Sequence, residues 1–373
     1  QISMGAIFFD YDDDNDPDLY LTHDNNQPNI LYENQGDGTF LNVAAATGCD
    51  YAGFGMGVDV GDLNNDGSLD LYITNLYENT LYLNLGGSFY NISANAETDD
   101  RGMGWGTSLL DYNNDGLLDI YAANDSYFSP DPNVLYRNDG NNQFTIVSEG
   151  QAEGSLLGSY GTATLDFNND GRLDLVVANT GTNDACSYLE NQHDNDNSWL
   201  KVRLVGTQSN RDAVGARVVM LTNEGSMTEE VVAGSGYGSQ NSQWLHFGMG
   251  SSLWVNQMDV RWPSGQTETF YDLGLNEAIT IVEGQGIVNT KQTAAAPQWQ
   301  IAPNPVRGQL SLLHTNDLNV QAIRMVDAHG RVVLWQTTDG QPTVAVGALP
   351  AGVYYLGLLL DSGWEQQRVV VTL

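Results

Sequence analysis

One eleven-residue phrase occurs four times in the first half of the chain: DYDDDNDPDLY from Asp10, DLNNDGSLDLY from Asp62, DYNNDGLLDIY from Asp111 and DFNNDGRLDLV from Asp166. Side-chain oxygens recur at positions 1, 3, 5 and 9. They are Asp10, Asp12, Asp14 and Asp18; Asp62, Asn64, Asp66 and Asp70; Asp111, Asn113, Asp115 and Asp119; and Asp166, Asn168, Asp170 and Asp174. Alternate side chains of a tight loop can converge on one hard cation, and Ca2+ takes about six to eight oxygens. Mg2+ keeps its waters and seldom accepts an all-protein cage, so about four Ca2+ ions are expected. Position 7 is Asp16, Ser68, Leu117 and Arg172, a tolerance that suits a ligand supplied by the backbone carbonyl. Position 6 is Gly67, Gly116 and Gly171, where a left-handed turn favours glycine. Asn15 replaces it in the first copy, which also carries Pro17 and the extra acids Asp13 and Asp16. That copy is expected to be the weakest or most distorted.

Two other metal readings fail. An EF-hand needs Glu at position 12 between helices, whereas Leu21, Ile73, Ala122 and Val177 stand there in β-rich runs. The five His and two Cys form no zinc-ligand spacing.

The loops start 52, 49 and 55 residues apart. Each follows a Gly-punctuated strand (GFGMGVDVGD, GMGWGTSLLD, GSYGTATLD) and precedes an apolar strand and a hairpin such as NTLYLNLGGSF. Four short strands at this period predict propeller blades in an all-β fold. The glycine pairs have no helix after them, so they read as strand packing, not nucleotide loops. His23, Asn75, Asn124 and Asn179 each lie five residues after a position-9 Asp, and are expected to tie down the turn that follows. The motifs resemble the FG-GAP/VCBS family of Ca2+-binding blades over residues 1–195. The resemblance implies a propeller of about seven blades, so further blades are expected upstream. Gln1 runs straight into the first repeat without an initiator Met or signal peptide, as in a fragment or processed form.

Acidity follows the repeats. Residues 1–198 hold 33 Asp and Glu against 3 Lys and Arg, whereas residues 199–373 hold 14 against 10. Such a surface repels nucleic acid and attracts cations. No run of 18 apolar residues predicts a membrane span.

Residues 196–285 lack the loops and alternate like strands. They resemble the ASPIC/UnbV domain through Asn210, Gly215, Ala216, Gly236, Tyr237, Ser239, Gln240, Phe247, Gly248, Gly250, Trp262, Pro263 and Gly265. Trp244 and Trp262 are read as core residues, with stacking on a sugar as the other option. Residues 286–301 are small, polar and Pro-bearing, and read as a linker. Residues 302–373 have a small β-sandwich pattern. They resemble the type IX secretion sorting domain of Bacteroidetes-type bacteria through Pro303, Asn304, Pro305, Gly308, Asp327, Gly330, Arg331 and the run Leu349–Tyr354. The basic residue usual near the end of that domain is absent. The resemblance implies export by the type IX machinery to the medium or the outer surface, where calcium sites of ~10⁻⁴–10⁻³ M still fill. Export permits a disulfide between Cys49 and Cys186, but the sequence offers no geometric support for one.

No H-E-x-x-H, G-x-S-x-G or P-loop motif is present. The leading reading is therefore a secreted or cell-surface calcium-binding module for adhesion, with a glycan or protein ligand. The alternative is an exported polysaccharide-degrading enzyme with its site on the propeller face. Carboxylates or His outside the four loops, with raised pKa, would favour the enzyme.

Overall fold

The computed structural model describes residues 2–126, 131–148, 158–180, 186–290, 299–313, 320–327, 332–337, 343–360 and 363–372. It divides into two compact units, residues 1–291 and 292–373.

The first unit opens with four radial antiparallel sheets. Blade one pairs Ser3–Phe9, Asp18–His23, Ile30–Asn34 and Phe40–Asn42 in that order. Blade two uses Gly55–Gly61, Asp70–Asn75, Thr80–Asn84 and Phe89–Asn91, and blade three Gly104–Leu110, Asp119–Asn124, Val134–Asn138 and Phe144–Ile146. The fourth blade departs from expectation. Among the described residues it has three strands, Ser159–Leu165, Asp174–Asn179 and Ser187–Leu189, because the chain leaves for the next domain where an outer strand would form.

Why successive blades pack inner strand to inner strand is visible at the inner-strand glycines. A Cβ on Gly5 would stand 2.6 Å from the Met56 carbonyl oxygen. On Gly57 it would stand 2.3 Å from that of Trp105, and on Gly106 2.3 Å from that of Tyr160. Only glycine lets neighbouring backbones meet this closely. The interblade cores are apolar: Ile7, Phe9, Tyr20, Val58 and Leu71 between blades one and two, and Tyr72, Leu81, Ile120 and Tyr136 between blades two and three. The strand-end polar residues tie down the following turns as expected. His23 Nδ1 bonds Pro28 O at 2.8 Å, Asn124 Nδ2 donates to Pro132 O at 2.9 Å and Asn179 Nδ2 to Ser187 Oγ at 2.7 Å. Asn75 Nδ2 donates to Thr80 Oγ1 at 3.3 Å.

The rest of this unit is a two-sheet β domain. One sheet has the order Leu245–Gly250, Ser198–Val205, Glu277–Val282, Gly286–Thr290; the other Ser226–Glu230, Arg217–Leu221, Val255–Arg261, Thr267–Leu273. Residues 286–290, placed in the linker on composition, are thus an edge strand paired with Glu277–Val282. The core holds Leu200, Val218, Phe247, Met258 and the fully buried Trp262, as expected for that tryptophan.

Glu283 closes one end of this domain. Its carboxylate, 1% exposed, accepts hydrogen bonds from the amides of Thr207, Gln208 and Ser209 and the hydroxyls of Ser209 and Ser264. Burial works to raise its pKa, but these donors outweigh it and hold the group down at about 2. The folded value lies below the usual 4.5, so the stabilisation is present above pH 4.5 and lost as pH falls towards 2. Glu283→Gln is expected to cost about 3 kcal/mol at pH 7, read by urea unfolding. The gap from the parent chain should close on acidification towards pH 2.

A strap from this β domain, residues 233–242, runs across the inner strands of all four blades. Phe8 N donates to Ala233 O at 2.9 Å, Gly236 N to Val58 O at 2.8 Å and Ser242 N to Thr164 O at 3.0 Å. Blade three joins through the weak bond from Ser108 Oγ to Asn241 Oδ1 at 3.5 Å. At Gly161 a Cβ would stand 3.0 Å from the Tyr237 carbonyl. The strap therefore takes the place against blade four that the next blade's inner strand takes against the others.

The second unit has a sheet of Gln300–Ala302, Gln309–Leu313 and Thr343–Ala345. Its other sheet has the order Val332–Thr337, Ala322–Asp327, Gly352–Leu360, Gly363–Val371. Trp299, Leu310, Ile323, Met325, Leu356 and Val369 form its core. Gly330 and Arg331, and residues 291–298 of the linker, lie outside the described residues. The linker's last residues, also placed there on composition, are instead the fully buried Trp299 and the start of the strand Gln300–Ala302. Cys49 is buried in blade one, Cys186 is exposed, and both are free, so the two are not joined.

Candidate functional site

All four repeated loops fold alike, between the inner and second strands of their blades. In the second, Asp62 Oδ1 accepts from Asp66 N at 3.0 Å and Oδ2 from Gly67 N at 2.9 Å. Asn64 Oδ1 accepts from Asp66 N at 3.0 Å, and Asp66 Oδ1 from Ser68 N at 2.8 Å. The same bonds recur from Asp111, Asn113 and Asp115, and from Asp166, Asn168 and Asp170. Gly67, Gly116 and Gly171 have φ of 93°, 89° and 86°, and Asn15 takes 75° in their place. Position 4 is left-handed too, at Asp13, Asn65, Asn114 and Asn169, which sequence reasoning missed.

These bonds curl each loop around its position-1 carboxylate. In the first loop carboxylate oxygens of Asp10, Asp12 and Asp18 lie within 4.8 Å of one another. Burial, with like charges close by, pushes Asp12 up to about 6; burial chiefly drives Asp62 to about 6 and Asp18, Asp70 and Asp111 to about 8. Carboxylates under such strain, all buried but Asp12, fit a hard divalent cation, which these residues, with the position-7 carbonyls of Asp16, Ser68 and Leu117, could hold.

Position 9 is fixed from behind by an asparagine that the sequence reading passed over. The amides of Asn34, Asn84, Asn138 and Asn191 donate to Asp18, Asp70, Asp119 and Asp174 at 2.7–2.8 Å. The side chains of Asn84, Asn138 and Asn191 reach the preceding blade's loop, donating to Tyr11 O, Leu63 O and Tyr112 O. Asn65 and Asn114 reach forward to Gly116 O and Gly171 O. The recurring YEN, YLN, YRN and LEN triplets were the available signal.

Bases of the β domain meet two loops. Arg217 and Arg261 pair with Asp13, and Arg261 Nη2 reaches Asp10 Oδ2 at 3.0 Å. Asp13 thus stands where the second and third copies have the donors Asn65 and Asn114, and two guanidiniums arrive there. Lys201, 5% exposed, pairs with Asp166, and Arg172 with Asp170. Among the described residues the third loop meets no base: His246 Nε2 lies 2.8 Å from Asn114 Oδ1, burial holds that imidazole at about 4, and Glu229 is the acidic neighbour of Asp111.

Between the loops and the strap lies a cavity of about 300 Å3 bordered by Asp59, Asp166, Lys201, Glu229, Asn241, Trp244 and His246. Burial raises Asp59 to about 7 and Glu229 to about 8. Trp244 is at its edge, 36% exposed and 5.8 Å from Lys201 Nζ, and not in the core where the sequence reading put it.

Comparison with known proteins agrees with this architecture. The FG-GAP-like repeat family matches residues 10–73, 62–122 and 111–177; ASPIC and UnbV matches 206–288; the secretion system C-terminal sorting domain matches 300–372. Cartilage acidic protein 1 of Xenopus tropicalis is 28% identical over 263 residues, 68% of this chain and 40% of that protein. Its Homo sapiens counterpart is 30% identical over 261 residues, 67% and 39%. The chain thus spans about two fifths of the length of these relatives. An Agrocybe aegerita lectin solved for its recognition of non-reducing terminal N-acetylglucosamine is 18% identical, covering 51% of this chain and 53% of that one. Its TM-score of 0.31 carries no inference. The sorting domain directs the protein to secretion and the cell surface, and among the described residues no helix is long and apolar enough to cross a membrane. The chain carries FG-GAP-like repeats, an ASPIC and UnbV domain and a secretion sorting domain, and it is a homologue of cartilage acidic protein 1.

Proposed function

We propose that this exported β module is stabilised by calcium and presents its propeller and strap to an extracellular glycan or protein. The observation that carries the reading is the convergence of Asp10, Asp12 and Asp18 within 4.8 Å, in a loop whose backbone pattern is repeated three times. Trp244 at the cavity edge offers a flat face for a sugar or apolar side chain. The enzyme reading draws on Asp59 and Glu229. Asp59, however, accepts from the amides of Val60 and Leu109 and from Asn241, so it is committed to holding strands together. A glycan and protein array with 5 mM CaCl2 or EDTA tests the reading. Binding that requires calcium and falls at least tenfold in Trp244→Ala is the expected result; a blank array in calcium overturns the ligand-binding half.

A further inference from the structure

We propose that the fourth loop supplies its own positive charge and binds no calcium in the range that fills the other three. The inference rests on the calcium reading above and departs from its count of four ions. Loops two and three each carry three carboxylates, and among the described residues no base pairs with any of them. Loop one meets Arg217 and Arg261, but it holds six carboxylates, from Asp10 to Asp18. Loop four has three, and two carry a cation already. Lys201 Nζ stands on Asp166, both side chains almost fully buried, and is flanked by the Trp199 and Trp244 rings at 5.5 and 5.8 Å. Arg172 turns back on Asp170 from position 7 and is held there by a 2.9 Å bond from Nε to Asn191 O.

From the loop's own acids and their paired bases a divalent ion would meet one net negative charge, with Glu190 beside Asn168 as the further acid there, where loops two and three offer three unpaired acids each. It would also have to break the Arg172 pair to use Asp170. The ammonium and guanidinium do locally what the ion does in the other loops: they offset buried carboxylates. Loop three carries Leu117 where loop four carries Arg172, so Arg172→Leu restores a side chain the same turn already accepts.

Calorimetric titration with CaCl2 on the full chain in metal-free buffer, with bound calcium counted by mass spectrometry after gel filtration, tests this. The parent chain should bind three ions. Arg172→Leu should bind a fourth, at least tenfold tighter than any residual fourth event in the parent. Lys201→Met leaves Asp166 buried and unpaired, so its melting temperature should fall in EDTA and recover in calcium more than the parent's does. Four equivalent ions in the parent, or three in both parent and Arg172→Leu, overturns the proposal. No bound ion at all overturns the calcium reading with it.

Discussion

Removing calcium is expected to lower the melting temperature of the blade-bearing unit by roughly 20 °C, the sum of about 2.7 kcal/mol from each of three loops at a hundredfold excess over Kd. The backbone amides of Asp66 and Gly67 curl their loop around the Asp62 carboxylate, and Asp62 and Asp70 are both buried. Without an ion their ionisation is resisted by burial, which moves Asp62 to about 6 and Asp70 to about 8. An ion binds the curled loop and not the unfolded one, so its binding free energy adds to stability. Asp66→Ala should remove one ion and about a third of the calcium-dependent shift, read by scanning calorimetry. In EDTA the change should stay within about 1 kcal/mol, because the Asp66 carboxylate then makes only local bonds to Ser68 N and Asn64 Nδ2. A loss in EDTA equal to that in calcium would make Asp66 a structural acceptor instead.

The loops were legible in the sequence because their chemistry is local: ligands, turn glycine and following strand fall within about twelve residues and recur in register. The blades followed from the period, and the glycine pairs from the absence of a helix after them. What was not legible depends on pairing across long separations. Nothing near Phe8 announces that its amide will meet Ala233, 225 residues on. Arg217 and Arg261 look like ordinary strand charges until the second sheet of the β domain delivers them to Asp13. The extra acid at Asp13 was read as a distortion of the first loop, but it is the counter-charge for an interdomain contact. Composition misplaced residues 286–290 for a related reason. A short polar edge strand owes its state to the ladder with Glu277–Val282, which no local propensity reports.

Asn241→Leu should cost about 3 kcal/mol and loosen blades two and four together. Asn241 Nδ2 donates to Asp59 Oδ2 on blade two at 2.9 Å, while its Oδ1 accepts from Thr164 N on blade four at 3.1 Å. Asp59 Oδ2 also accepts from Leu109 N on blade three, so one amide and one carboxyl join three blades at the axis. Leucine fills similar volume but leaves Thr164 N and Asp59 Oδ2 short of a partner in a buried setting. The effect should grow with pH. Burial raises the folded Asp59 value to about 7, above the usual 3.8, so ionisation costs the folded state roughly 4 kcal/mol between pH 4 and 7 and no more above that. The Asn241 bond favours the charged form and limits this cost. Urea unfolding should therefore show Asn241→Leu close to the parent at pH 4, where Asp59 is protonated, apart from the Thr164 bond. The gap should stay constant up to about pH 7 and open above it, where the parent's Asp59 ionises and the variant's, without its Asn241 donor, does not yet. It should then level off, with faster amide exchange at Leu109 and Thr164. A gap independent of pH would show that Asn241 acts on the strap alone and not through Asp59.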